Sequence, residues 1–254
     1  MAITIKSERE IELMAEAGKI LERVHNELEK ALHPGMSTKD IDTLGEKIIR
    51  SYGCIPYFLN YNGYPASICV SVNQEVVHGI PDKHRIIHEG DIVSLDAGVI
   101  YKGYHSDAAR THAVGEVSEE AKKLIQVTKE CFFEGIKYAK AGNHLFDISG
   151  AIGRYAEERG YGVVRDLCGH GIGTALHEAP EIPNYEVGRK GVKLRPGMTL
   201  SIEPMINIGT YEVDWLDDDW TVVTRDGSLS AHYENTILIT EGEPRILSLT
   251  CDNE

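Results

Sequence analysis

Apolar and polar positions alternate with a helical period at the start of the chain and predict two helices there. Ser7 and Glu10 form an S-x-x-E capping signal before the periodic run IELMAEAGKILERVHNELEKAL. Ser37 is placed to cap a second helix that ends near Arg50. A similar pair of helical segments recurs later, in SEEAKKLIQVTKECFFEGIKYAK and LFDISGAIGRYAEERG. The pattern therefore predicts two pairs of helices.

The stretch GDIVSLDAGVIYKGYHSDAART, residues 90–111, predicts a β-hairpin with a turn at Lys102-Gly103. That turn places Asp107 opposite Gly98, which shares a face of its strand with Asp96. The two aspartates are then diagonal neighbours, with backbones roughly 7–8 Å apart. Like charges on a half-buried face repel each other unless a cation lies between them. A solvated face with two unrelated aspartates is the alternative.

The second half of the chain repeats the first at an offset of 107 residues. This offset superposes Gly35 on Gly142 and Asp96 on Glu203, which aligns GDIVSLD with GMTLSIE. A fixed offset across a helix–turn–helix unit and the following strand indicates an internal repeat, although turn glycines alone produce part of such a match. We therefore predict a single catalytic domain over residues 1–254, with halves of roughly 1–112 and 113–254.

Two further motifs match between the halves once insertions are allowed. HGIP at 78–81 resembles HEAP at 177–180, and HSD at 105–107 resembles HYE at 232–234. The longer insertion in the second half contains YEVDWLDDDW, which we expect to be an acidic, aromatic loop. Each half thus consists of two helices, a histidine and two strands that carry a carboxylate.

Four carboxylates on strands, two from each half, converge if the halves face each other across a twofold axis: Asp96, Asp107, Glu203 and Glu234. Buried together without cations, they would strongly oppose folding. Two divalent cations would balance their charge. His170, between two glycines in CGHGIG, adds a nitrogen donor. One histidine and four carboxylates form a hard donor set that suits Mn, Fe, Co or Zn.

Composition and charge restrict the class of protein. Hydrophobic residues make up 42% and charged residues 26% of the chain, as in an ordinary soluble protein. Residues 1–20 have no apolar core of a signal peptide, and no apolar run has the length of a membrane span. Five cysteines without C-x-x-C spacing indicate a reducing, cytoplasmic environment. A net charge of −14 argues against broad binding to nucleic acid.

Over essentially its whole length, the sequence resembles the type I methionine aminopeptidases of the pita-bread metallopeptidase group. The five candidate ligands lie in the matching motifs SLDAG, HSDAART, CGHGIG, SIEPM and HYENT. X-Pro peptidases share these ligands, whereas YNGYPASICVSVNQEVVHGIP, residues 61–81, is similar to the methionine enzymes in particular. The resemblance implies an α+β pita-bread fold, with two pseudo-twofold-related halves and an antiparallel sheet covered by helices.

The resemblance also implies an activity and a role for each site residue. It implies removal of the initiator methionine from nascent proteins, with a small second residue preferred and two metal ions as cofactors. Glu203 would carry a proton from water to the leaving nitrogen, His177 would donate to the carbonyl oxygen, and His78 would position the scissile amide. Two buried structural histidines are the alternative for the latter pair. The pocket candidates are Phe58, Tyr61, Tyr64, Cys69, Leu176 and Trp220.

Finer features place the sequence with the short bacterial enzymes. No zinc-binding extension precedes the first helix, and His170 and Glu203 lie too close in sequence for the helical insertion of type II enzymes. Phe58, Leu176 and Asn235 stand where relatives often have cysteine, phenylalanine and histidine. We expect a monomer that contacts the ribosome transiently and binds neither DNA nor membranes. The alternatives are a proline-directed peptidase of the same fold and a non-catalytic binding protein on this scaffold.

Overall fold

The computed structural model describes residues 2–249 of the chain. These residues form four α-helices and fifteen strands. The helices are α1 (Glu8–Ala31), α2 (Thr38–Ser51), α3 (Glu119–Ile136) and α4 (Leu145–Glu157), and a short 3₁₀ helix spans Tyr61–Gly63. The strands are β1 (Ile55–Pro56), β2 (Ile68–Val72), β3 (Glu75–Val77), β4 (Ile92–Tyr101), β5 (Tyr104–Ala113), β6 (Gly162–Val163), β7 (Gly169–Gly171), β8 (Glu178–Ile182), β9 (Thr199–Ile202), β10 (Met205–Asn207), β11 (Val213–Trp215), β12 (Val222–Thr224), β13 (Ser230–His232), β14 (Glu234–Leu238) and β15 (Arg245–Ile246). None of these helices has both the length and the apolar character needed to cross a bilayer.

The predicted helix starts are confirmed, because polar side chains satisfy the first backbone N–H groups. The Ser7 N–H donates to the Glu10 carboxylate at 2.7 Å, and α1 begins at the next residue. The Ser37 hydroxyl accepts the Asp40 N–H at 3.1 Å, and the Asp40 carboxylate accepts the Ser37 N–H at 2.9 Å. Helix α2 ends at Ser51, one residue beyond the predicted end.

The largest sheet is antiparallel throughout and runs in the order β1-β4-β5-β14-β9-β7-β8, with β2 beside β4 and β15 beside β14. Its β4–β5 hairpin has the predicted register, in which Asp107 pairs with Gly98 and Asp96 pairs with Ala109. The predicted antiparallel sheet is therefore confirmed in type and, for this hairpin, in register.

The helices cover one face of this sheet. Leu21 and Leu28 of α1 pack with Leu95 of β4, and Phe132 of α3 packs with Ile237 of β14. Each of these side chains is at most 2% exposed, and burying one stabilises the fold by about 1.5–3 kcal/mol. Because strand side chains alternate, the helix-facing positions on β4 leave the intervening residues on the opposite face of the sheet.

The expectation that YEVDWLDDDW is a loop was wrong. Val213–Trp215 and Val222–Thr224 pair as an antiparallel hairpin, and the second of these strands also pairs with β3. Val213 and Val222 bury their side chains against Val77, so the segment contributes to a small core. Asp218 accepts the Thr221 N–H at 2.7 Å, which accounts for the acidic residue at the turn. In the sequence, the many acidic residues of this segment obscured the apolar positions Val213 and Val222, whose side chains are buried.

Helix α1 packs closely against the backbone at Leu247, so a single added methyl group on α1 is expected to lower the stability of the fold. A Cβ at Gly18 would lie 1.9 Å from the Leu247 carbonyl oxygen. We expect Gly18→Ala to lower the free energy of unfolding by about 1–3 kcal/mol, measured by chemical denaturation. Glu12→Ala, on the exposed face of the same helix, is the control and should change it by less than about 0.5 kcal/mol. Equal stability of the two variants would contradict the packing described.

Candidate active site

The five candidate ligands lie on strands that are immediate neighbours in the sheet. Asp96 is on β4, Asp107 on β5 and His170 on β7, while Glu234 begins β14 and Glu203 directly follows β9. The sheet order β4-β5-β14-β9-β7 places these strands side by side. Residues that are far apart in sequence are thus brought to one face of the sheet.

Donor atoms of these residues lie close enough to share a metal ion. One ligand atom each from Asp107, His170 and Glu234 lies within 4.8 Å of the other two. The His170 Nε2 atom is 3.8 Å from Asp107 Oδ2 and 3.6 Å from Glu203 Oε1. These distances exceed those of hydrogen bonds and leave space between the donors.

Burial makes this cluster electrostatically costly. It raises the pKa of Asp96, Asp107 and Glu203 well above the ordinary values, and the neighbouring carboxylates raise these pKa values further. Burial also raises the pKa of Glu234 to about 7, although a hydrogen bond from the Ser201 hydroxyl opposes the rise. Four carboxylates therefore cannot all be charged here without a compensating positive charge.

The polar atoms in the cluster are arranged as metal donors. Asp96 Oδ1 and Asp107 Oδ1 are buried and have no hydrogen-bond partner within residues 2–249. The His170 Nδ1 donates to the Gly171 carbonyl at 2.9 Å, so the neutral ring presents its Nε2 lone pair to the carboxylates. Burial lowers the pKa of His170 to about 3, which keeps the ring neutral. A lone pair that faces carboxylate oxygens needs a cation, and the donor set fits a divalent one.

His177 adjoins the candidate ligand His170. The two ring centroids are 4.3 Å apart and the rings meet edge to face. The His177 Nδ1 forms a hydrogen bond of 2.6 Å with the Tyr61 hydroxyl, which fixes the orientation of the imidazole. Burial lowers the pKa of His177, so the ring is neutral at pH 7.

His78 has a strained backbone. Its φ of +60° lies in the left-handed region, which costs a non-glycine residue about 1–3 kcal/mol. Burial lowers the pKa of His78 to about 4, and its ring lies edge-on to Trp220 at 6.2 Å between centroids. Such strain clusters at functional sites, which favours a functional role for this histidine over a structural one.

Every residue that the sequence predicts for the site lines one cavity of about 160 Å³: Phe58, Tyr61, Tyr64, Cys69, His78, Asp96, Asp107, His170, Leu176, His177, Glu203, Trp220 and Glu234. Four lining residues were not predicted: Val77, Leu167, Cys168 and Met205. Each lies within three residues of a predicted one, so proximity to the motifs was the available signal. Leu167 and Cys168 precede His170, and Met205 follows Glu203.

Phe58 approaches the ligand strands because residue 98 has no side chain. A Cβ at Gly98 would lie 3.0 Å from Phe58 Cε1 and 3.6 Å from Asp107 Oδ1. Phe58 is itself only 7% exposed. The glycine thus allows an aromatic wall of the cavity to contact the strand that carries Asp96.

Comparison with known proteins shows the family. The profile described as metallopeptidase family M24 matches residues 12–241. A methionine aminopeptidase of Clostridium acetobutylicum is 58% identical over 247 residues, which cover 97% of this chain and 99% of that protein. The chain belongs to the methionine aminopeptidases of metallopeptidase family M24.

Solved structures agree with the assignment of this chain to family M24. The methionine aminopeptidase of Thermotoga maritima superposes with a TM-score of 0.96 at 46% identity, over 98% of this chain and 100% of that one. An Xaa-Pro dipeptidase of Bacillus anthracis superposes with a TM-score of 0.76 at 26% identity, over 97% of this chain and 62% of that one. The expected pita-bread fold is confirmed, and the peptidase is an enzyme of a metal-dependent family.

Removing one carboxylate charge tests the metal centre. Asp107→Asn keeps the size of the side chain and removes a negative charge between the other donors. We expect the variant to retain its fold by circular dichroism, to bind at least one metal ion fewer by elemental analysis, and to lose most activity. Asp217→Asn, an exposed aspartate, serves as the control and should bind metal like the wild type. Wild-type metal content and turnover in Asp107→Asn would show that this carboxylate is not a ligand.

Proposed function

We propose that this chain removes the N-terminal methionine from proteins and peptides by metal-dependent hydrolysis and prefers a small second residue. One observation carries the proposal: five hard donors meet in a cavity whose other walls are largely apolar and aromatic. Such a cavity combines hydrolytic chemistry with a pocket for one apolar side chain. The similarity to the methionine aminopeptidase of Clostridium acetobutylicum supports the same substrate class.

The cofactors in this proposal are two divalent ions, with Mn, Fe, Co and Zn as the candidates. Their ligands are Asp96, Asp107, His170, Glu203 and Glu234. Two such ions balance the four carboxylate charges, and the unpartnered oxygens of Asp96 and Asp107 support this assignment. When bound, divalent ions supply Lewis acidity and lower the pKa of a water molecule toward neutrality.

Glu203 is the proposed proton carrier. It is the least buried of the four carboxylates, and it follows β9 rather than lying within a strand. A carboxylate in this position can take a proton from the attacking water and deliver it to the leaving nitrogen. The new C–O bond and the broken C–N bond then yield free methionine and a shortened chain with a new amino terminus.

His177 is the proposed donor to the carbonyl oxygen of the substrate. A neutral imidazole that donates from Nε2 has an unprotonated Nδ1, and the Tyr61 hydroxyl at 2.6 Å is placed to donate to that Nδ1 and so favour this tautomer. The lowered pKa of His177 keeps the ring neutral, so this tautomer persists at pH 7. His78, at the strained end of β3, would orient the scissile amide in the same cavity.

The methionine side chain would occupy the apolar part of the cavity. Soft, polarizable walls suit a thioether. The Tyr64 hydroxyl donates to the Gly79 carbonyl at 2.9 Å, which satisfies the polar end of this otherwise buried side chain. Burial raises the pKa of Cys69, so its thiol stays protonated and acts as a small apolar wall. Phe58, Tyr61, Leu176 and Trp220 would complete the pocket.

We further infer action on nascent chains in a reducing cytoplasm, by a monomer that contacts the ribosome transiently. The four cysteines in the described range are all free, and three of them are buried. Cys251, the fifth, lies outside the described residues. Sedimentation of the purified enzyme, alone and with ribosomes, tests the oligomeric state and the ribosome contact.

The decisive assay is release of free methionine from Met-Ala-Ser by apo-protein supplied with one metal at a time. We expect hydrolysis with at least one of Mn, Fe, Co and Zn, and slow or no cleavage of an Ala-Pro peptide. Faster cleavage of the Ala-Pro peptide would identify a proline-directed enzyme. No cleavage of either peptide with any metal would favour a non-catalytic binding protein.

The two histidines should differ in kinetics although neither is proposed as a ligand. His177→Ala removes a donor that acts in the transition state, so we expect kcat and kcat/KM to fall together by about 10²–10³. His78→Ala should raise KM as well as slow turnover, because it loses a contact with the bound peptide. Elemental analysis should show wild-type metal content in both. Metal loss in His177→Ala, or wild-type kinetics in both variants, would contradict these roles.

Phe58 should set the shape of the methionine pocket. Phe58→Cys enlarges the cavity beside Gly98, so we expect altered affinity for methionine analogues and a smaller change in turnover. The measurement is KM and kcat for peptides that begin with methionine, norleucine or ethionine. Phe146→Cys is the control, because Phe146 belongs to α4 and does not line this cavity. An unchanged selectivity profile would place Phe58 in the core alone.

A further inference from the structure

Strands β5 and β14 meet at a short junction between the two parts of the metal site. Only two residue pairs join them, Glu234 with Ala109 and Asn235 with Ala108. We call this junction the β5–β14 seam. Asp107 lies on one side of the seam and Glu234 on the other, so the spacing of these two ligands depends on it. A ladder of two pairs alone constrains that spacing weakly.

Side chains reinforce the seam from the Asp107 side. The Thr236 hydroxyl donates to the Asp107 carbonyl at 3.0 Å and accepts the Asp107 N–H, also at 3.0 Å. This threonine is fully buried and thus replaces a missing pair of ladder hydrogen bonds. The backbone of Asp107 is tied to β14 by a single residue.

Arg110 reinforces the seam from the Glu234 side. Its Nη1 donates to the carbonyl oxygens of Glu234 and, at 2.7 Å, of Ala109. Its Nη2 donates to Asn235 Oδ1 at 2.6 Å. One guanidinium group therefore contacts both residues of β14 that pair with β5. A lysine ammonium cannot span these acceptors in one plane.

The surroundings hold this guanidinium in place. It lies over the Tyr233 ring, with Cζ 4.5 Å from the centroid, and it also contacts the Ser248 carbonyl at 3.4 Å. The Asn235 Oδ1 atom accepts a further hydrogen bond of 3.0 Å from the Ser248 hydroxyl. The four hydrogen bonds named here for Arg110 run to three main-chain carbonyls and one neutral amide, an arrangement that fits a geometric role.

We propose that Arg110 is a positioning residue of the metal centre: its fork holds the main chain of Glu234 against β5, sets the spacing of the Asp107 and Glu234 carboxylates, and so increases affinity for divalent cations. This inference rests on the proposed metal-dependent function. Residues that orient metal ligands typically contribute about 10- to 100-fold to metal affinity.

Charge and geometry make opposite predictions for Arg110. A positive charge near the site repels divalent cations, so a purely electrostatic role predicts tighter metal binding in Arg110→Met and no change in Arg110→Lys. The positioning role predicts weaker binding in both variants, because each lacks the planar fork. A purely structural role predicts a lower melting temperature with an unchanged dissociation constant for metal.

The experiment is titration calorimetry of the folded apo-protein with Mn²⁺ at 25 °C. We expect dissociation constants about 10- to 100-fold higher for Arg110→Lys and Arg110→Met than for the wild type. Arg154→Lys is the matched control, because Arg154 lies on the exposed surface of α4, where it forms a salt bridge with Glu186. The Arg154→Lys variant should bind Mn²⁺ like the wild type. Wild-type affinity in folded Arg110→Lys, or tighter binding in Arg110→Met, would overturn the proposal.

Thr236→Val tests the β5–β14 seam through a second side chain. It removes both hydrogen bonds to Asp107 with little change in volume, so it should also weaken Mn²⁺ binding, and its effect should not add to that of Arg110→Lys because both act on one spacing. If neither Arg110 variant folds at 25 °C, Thr236→Val decides: unchanged affinity overturns the proposal and a 10-fold loss supports it. Absence of Mn²⁺ binding by the wild type would instead count against the proposed metal-dependent function itself.

Discussion

Four carboxyl groups share one buried cavity, and the cost of keeping that negative charge away from water shapes the structure around it. Burial raises all four pKa values, and neighbouring carboxylates raise those of Asp96, Asp107 and Glu203 further. At Glu234 the surrounding chain relieves part of this cost, because the Ser201 hydroxyl and the positive charge of Arg110 lower the pKa of that carboxyl group. Bound divalent cations, which this metal-dependent family uses, can supply the remaining balance. The fold is thus organised around a centre that is unfavourable alone and favourable when metal is present.

The sheet solves the geometric part of the problem. It draws four of the proposed ligands from adjacent strands and the fifth, Glu203, from the residue that directly follows β9. The β5–β14 seam and the β7–β9 junction each have two residue pairs, and at the seam Thr236 and Arg110 supplement them. The candidate ligands lie on the face opposite the helices, and Phe58 and Trp220 line another part of the same cavity.

Local sequence signals were sufficient to predict part of this structure. The helix caps at Ser7 and Ser37 and the register of the β4–β5 hairpin follow from neighbouring residues, and the sequence predicts them. The pairing of β14 with β5 joins residues more than 120 positions apart in the chain, and no local signal encodes it. The hydrogen bonds of Tyr61 to His177 and of Arg110 to Glu234 also join residues that are distant in sequence, so the sequence did not predict them. The internal repeat and the resemblance indicated the candidate ligand set, but the contacts that orient those residues required the structure.

The order of the strands has a consequence for the folding of the enzyme. Glu234 comes more than 120 residues after Asp107, yet its strand stands between β5 and β9 at the middle of the sheet. Until β14 joins the sheet, β5 and β9 have no common neighbour and the proposed donor set is incomplete. Central pairing of the sheet and completion of the proposed metal site are therefore one event, and a bound cation would stabilise both together.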